Sequence, residues 1–202
     1  MKKNNVLSSV FMFLGISLGW CAELACHECC KESEIENPCF TTAFTTGYVF
    51  KHDDCVFKQV YGHGIENIIT ADACYYPWES WGIGAKVSYW RAKGLTTFFK
   101  QCTTLQEIPL TFYLRKTSDT WCHFQGYVSL GGGVMFIKEK SYIGCVDQHA
   151  GIGELELGFN YFVCSCFDIT GAFRYLFSGN CLCGQKADVG GFDLRAGIGF
   201  SY

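Results

Sequence analysis

The sequence predicts an all-β protein, an eight-stranded antiparallel up-and-down transmembrane β-barrel. Three observations carry that expectation. Apolar and polar residues alternate with period two in eight segments between residue 40 and the last residue, the pattern of strands with one apolar face. Aromatic residues make up 17% of the chain and charged residues only 17%, whereas a soluble domain carries about 25% charge. The connections between segments alternate between short and long, as spanning barrels require.

The chain opens with a basic pair, Lys2 and Lys3, followed by an apolar run from Val6 to Gly19. That run falls short of the roughly 20 apolar residues of a spanning helix and suits the core of a signal peptide. Residues 1–22 are assigned to it, with cleavage after Gly19 or Ala22. A lipoprotein anchor at Cys26 would want an apolar residue where Glu23 stands. Residues 23–39 then form a cysteine-rich N-terminal segment, and 40–202 the barrel.

The first two strands are expected over 40–52, with Phe44, Tyr48 and Phe50 on one face, and 64–76, with Ile69, Ala71, Ala73 and Tyr75. The third, 81–92, sets Trp81, Ile83, Ala85, Val87 and Tyr89 against Gly82, Gly84, Lys86 and Ser88. The fourth, 104–116, sets Ile108, Leu110, Phe112 and Leu114 against Glu107, Thr111, Tyr113 and Arg115. Pro109 falls in its middle, where a missing N–H predicts a bulge or a lost ladder bond. The fifth, 121–138, opposes Phe124, Val128 and Leu130 to His123, Gln125 and Ser129. The sixth, 150–163, opposes Leu155, Leu157, Phe159 and Tyr161 to Glu154, Glu156 and Asn160. The seventh, 167–177, opposes Phe167, Ile169, Phe173 and Tyr175 to Asp168, Thr170 and Arg174. The eighth alternates without a break from Phe192 to Tyr202.

The polar face decides between a barrel and a soluble sandwich. It is rich in glycine, serine and threonine with a few charges, too small for a solvated exterior but suited to a narrow lumen. Short connections are expected at Pro77 to Ser80, Thr117 to Thr120 and Cys164 to Cys166, and long ones at 53–63, 93–103, 139–149 and 178–188. An even strand count then puts both ends of the chain on one side, with Trp78, Trp81 and Trp121 in an interfacial aromatic girdle there.

The final residues carry a resemblance. Arg195-x-Gly197-x-x-Phe200-x-Tyr202 resembles the C-terminal assembly signal of bacterial outer-membrane barrels, and residues 40–202 look like the small eight-stranded outer-membrane proteins. The resemblance implies insertion by the barrel-assembly machinery, contact with outer-membrane lipid, and termini in the periplasm. The cysteine load is similar to that of the cross-linked envelope proteins of chlamydiae, which implies other cysteine-rich envelope proteins as partners.

Fourteen cysteines point to an oxidising compartment. Under this topology Cys55, Cys102, Cys145, Cys181 and Cys183 lie in or beside the long loops. Cys74, Cys122, Cys164 and Cys166 lie at the opposite rim, near Cys26, Cys29, Cys30 and Cys39. Disulfide partners need Cα atoms within about 7 Å, so bonds are expected within a rim and not across the membrane band. Free buried thiols are the competing reading. Structural zinc lacks the second CxxC motif it would need, and no cofactor or metal is implied.

The inward face is expected to hold a salt-bridged plug formed by Glu66, Asp72, Lys86, Glu107, Arg115, Glu154, Glu156, Asp168, Arg174, Asp193 and Arg195. No catalytic set emerges. A lipid A-modifying site would need a histidine, a hydroxyl and a carboxylate in contact, and neither His63, His123 nor His149 has a serine beside it in the expected topology. The net charge of −3 gives no reason to expect nucleic acid as a partner. The function expected is a structural role in the envelope, with disulfides and with loops available for adhesion or ligand contact. A narrow pore and a lipid-modifying enzyme are the alternatives.

Overall fold

The computed structural model describes residues 38–51, 60–61, 65–95, 101–121, 123–142, 144–178, 181–182, 185–186 and 190–202. The expected signal peptide therefore lies outside the described residues. So do nearly all of the cysteine-rich N-terminal segment, Cys26, Cys29, Cys30, Cys55, Cys122, Cys183 and His63.

Alternation of apolar and polar residues becomes a ring of strands. These are β1 (Phe40–Lys51), β2 (Ile65–Trp78), β3 (Trp81–Leu95), β4 (Cys102–Thr117), β5 (Phe124–Ser141), β6 (Gly144–Cys164), β7 (Phe167–Ser178) and β10 (Gly191–Ser201). Two-residue strands β8 (Cys181–Leu182) and β9 (Gln185–Lys186) pair with each other between β7 and β10. The eight long strands close in the order β1-β10-β7-β6-β5-β4-β3-β2, each antiparallel to its neighbours. The seam between β1 and β10 runs from Thr41 opposite Ser201 to Lys51 opposite Gly191. Reciprocal backbone bonds between Phe40 and Tyr202 finish it. Closure leaves no free sheet edge around the ring, which is what a strand-built span through lipid needs.

The side chains sort as the period-two reading requires. Ile83, Val87, Phe112, Leu130, Leu157, Phe173 and Leu194 point outward and are exposed, while Lys86, Glu107, Glu154, Glu156, Arg174 and Asp193 point inward and are buried. A soluble protein would show the reverse. The molecule is a transmembrane β-barrel. Trp78, Trp81 and Trp121 are all exposed at the end that carries the short turns and the C-terminus, hereafter the turn end; the opposite end is the loop end.

Two expectations need correction. Residues 139–149 are not a long loop. β5 and β6 stay paired up to Ser141 opposite Gly144, so this connection is a tight turn on a ribbon that continues past the β6–β7 ladder, which stops at Ile152 opposite Ser178. Lys138 and Asp147 face each other across that ribbon and ion-pair at 3.2 Å. An opposite-charge pair directly across two strands stabilises such a ribbon. The fifth strand correspondingly begins at Phe124, three residues later than expected, after a turn in which His123 takes φ 72°.

Of the bulge or lost ladder bond expected at Pro109, the structure shows the lost ladder bond and no bulge. The β3–β4 ladder runs through Val87 opposite Leu110, lapses beside Pro109, and resumes at Trp90 opposite Glu107 in the same register. On the β5 side Pro109 still faces Met135. The missing N–H thus costs a local interruption and shifts nothing.

Candidate functional site: an ion-paired lumen

Inward residues from six strands meet at mid-height in a network of four cations and four carboxylates. Lys86 of β3 reaches across the lumen to β6, where its Nζ donates to Glu156 at 2.6 Å and Glu154 at 3.1 Å. Asp72 of β2 stands 4.0 Å from Lys86 and 2.8 Å from Arg115 of β4. Arg115 also lies 3.5 Å from Glu156 and donates through Nε to Ser129 at 3.0 Å. On the other wall, Arg174 of β7 pairs with Asp193 of β10 at 2.8 Å and with Glu154 at 3.5 Å. Arg195 contacts Asp193 at 2.6 Å and also binds Glu156. Thr111 donates to Glu154 at 3.0 Å, and the Tyr113 hydroxyl donates to Asp72.

Burial on this scale requires such pairing, because an ion taken from water into a low-dielectric interior without partners is strongly disfavoured. Tyrosine rings fill the gaps between the charges. Arg115 lies 4.8 Å from the Tyr113 ring centroid and 4.2 Å from that of Tyr127, within the range of cation–π attraction. Each ring occupies the space above a glycine. A Cβ on Gly84 would stand 2.3 Å from Tyr113, and one on Gly158 would stand 2.2 Å from Tyr127.

Three residues assigned to the plug stand apart from it. Glu107 pairs with Lys51 at 2.7 Å nearer the loop end, a lysine that the sequence reading missed because it sits at the last position of β1. Lys51 also lies 4.4 Å from the Trp90 ring centroid. Asp168 takes only a hydrogen bond from Ser201, at 3.3 Å. Glu66 joins no ion pair among the described residues.

The loop-end lumen was not anticipated either. Val49, Ile68, Trp90, Ala92 and Leu105 form a buried inward cluster with Tyr61 and Ile137 packed against it, and Met135, Ile152 and Leu176 form a second. The Tyr61 hydroxyl donates to Glu139 of β5 at 3.0 Å. A partial signal was available: Val49, Met135 and Leu176 each stand between two apolar neighbours, so the alternation fades there as the lumen turns dry.

The cysteines fall into distinct environments. Cys102 and Cys145 are exposed free thiols at the loop end, and Cys145 is on the β5–β6 ribbon instead of in a loop. Cys74, expected at a rim, points into the lumen as a fully buried free thiol beside Gly82. Cys39 is exposed and Cys164 partly buried at the turn end, both free. Cys166 is disulfide-bonded. Cys181 opens β8. Among the described residues no group of three or more His, Cys, Asp or Glu is arranged to hold a metal ion.

No family model and no curated protein matches the chain. Solved structures do match in fold. Neisserial surface protein A is 13% identical with a TM-score of 0.60, over 81% of this chain and 97% of that one. OprG from Pseudomonas aeruginosa is 14% identical with a TM-score of 0.61, over 84% and 99%. The fold is that of the small outer-membrane barrels. Ail, the attachment invasion locus protein of Yersinia pestis, solved with the heparin analogue sucrose octasulfate, matches at 13% identity and a TM-score of 0.51, over 81% and 96%.

Proposed function

We propose that the chain is an integral outer-membrane protein with a structural role in the envelope. In this reading it is exported through the signal peptide at 1–22 and inserted by the barrel-assembly machinery, with its turn end in the periplasm. The like-folded outer-membrane proteins and the lipid-compatible outer surface support the location. The observation that carries a structural role over transport is the lumen itself. Four cations and four carboxylates cross it in mutual contact, and the lumen cavity beside them measures only about 20 Å³, about the space one water needs. Planar-bilayer recording of the purified protein tests this: no stepwise conductance is expected, and a steady open channel would defeat the reading.

The disulfide part of the proposal rests on Cys102 and Cys145. Both are exposed, and they stand on β4 and β6 with β5 between them. Two strand spacings of about 4.8 Å separate them, beyond the roughly 7 Å that a bond within the chain tolerates. Lys140 faces both Thr104 and Cys145, which sets Cys102 two residues further along and widens the gap. In this reading each thiol bonds a neighbouring cysteine-rich envelope protein, because the two do not reach each other. Non-reducing gels of isolated outer membranes should show high-mass species that collapse with reductant.

A further inference from the structure

Five cations and five carboxylates inside the barrel pair off: Lys51, Lys86, Arg115, Arg174 and Arg195 against Asp72, Glu107, Glu154, Glu156 and Asp193. Asp168 is a carboxylate left over. It points inward from the start of β7, is only 3% exposed, and forms no ion pair among the described residues. Its one hydrogen-bond donor among the described residues is the Ser201 hydroxyl. A buried carboxylate with a single neutral donor is disfavoured unless a proton or a cation compensates it.

A second, independent feature lies next to it. Thr45 on β1 is 7% exposed, and its buried Oγ1 has no hydrogen-bond partner. Asp168 and Thr45 line the same cavity of about 20 Å³, together with Thr41, Asn160 and Thr170. Arg115 and Arg195 reach its wall too, their charges already matched by Asp72, Glu156 and Asp193. The space suits one particle of water size. The lining offers a carboxylate, hydroxyls and an amide oxygen, a hard donor set that favours a hard cation. One uncompensated negative charge balances a monovalent ion and leaves a divalent ion in excess.

We propose that this cavity is a binding site for a small monovalent cation of sodium type, held by the Asp168 carboxylate and the Thr45 hydroxyl. The ion would neutralise the lumen and satisfy the orphaned hydroxyl together.

The test is thermal unfolding of the full chain in detergent and mildly alkaline buffer, with sodium chloride replacing choline chloride at constant ionic strength. Ligand linkage predicts a melting temperature that rises with sodium towards saturation of the site. Asp168→Asn, which keeps the shape and removes the charge, should respond equally to both salts. Thr45→Val should move the sodium midpoint to higher concentration, and it serves as the second probe if the aspartate variant folds poorly. Equal melting temperatures for the wild-type chain in sodium and choline would overturn the proposal, leaving a proton on Asp168 and a water in the cavity. An undiminished sodium response in Asp168→Asn would overturn it as well, since it would mark a general salt effect.

Discussion

Lys86 on β3 and Glu156 on β6 are 2.6 Å apart, yet β4 and β5 stand between their strands in the ring. The bond therefore crosses the lumen as a strut and does not run along the wall. Both side chains are almost completely buried, so each is the other's substitute for water.

Breaking the network should cost far more than breaking a rim pair. Arg174→Ala and Arg195→Ala each leave the buried network one positive charge short, with Asp193 held by a single arginine, a loss on the order of 3–5 kcal/mol. Lys138→Ala removes only the solvated pair with Asp147 and should leave the melting temperature where it was. Thermal scans of the three variants in detergent measure this, and equal melting temperatures would mean that the network carries no stability.

The tyrosine-over-glycine contacts give a steric prediction. In Gly158→Ala the new Cβ would fall 2.2 Å from the Tyr127 ring, forcing the ring off Arg115. Overpacking of this kind costs about 1–3 kcal/mol. Replacing Tyr127 with leucine in the same chain should recover part of the loss, and a double variant no better than the single one would refute the contact.

Assembly should depend on the C-terminal strand. Phe40 and Tyr202 close the seam through reciprocal backbone bonds, and Phe200 packs edge-on against Phe167 at 5.6 Å. Deleting Tyr202, or Phe200→Ser, should leave protein in the periplasm after fractionation. Normal outer-membrane yield from both would show that the terminal motif is dispensable.

The thiols should separate by location. Cys102→Ser and Cys145→Ser together should abolish reductant-sensitive high-mass species, whereas Cys74→Ser should leave them intact because that thiol is sealed in the lumen. Mass spectrometry of the oxidised protein should find no bond joining Cys145 to Cys164, which sit at opposite ends of β6.

The sequence by itself determined the strands, their number and which face of each looks inward. These follow from period-two alternation, a local property that survives without knowing any partner strand. It also placed Asp72, Lys86, Arg115, Glu154, Glu156, Arg174, Asp193 and Arg195 inside together. Only the tertiary structure decided that Lys86 meets Glu156, that Glu107 belongs to Lys51, and that Asp168 stands alone, because pairings across a lumen depend on closure and strand stagger. The apolar loop-end lumen and the β5–β6 ribbon were hidden for the same reason. Trp90, Ile68 and Leu105 read locally as interruptions of a polar face, and only the closed ring packs them against one another. The Lys138–Asp147 pair likewise emerges only once the β5–β6 register sets the two opposite each other.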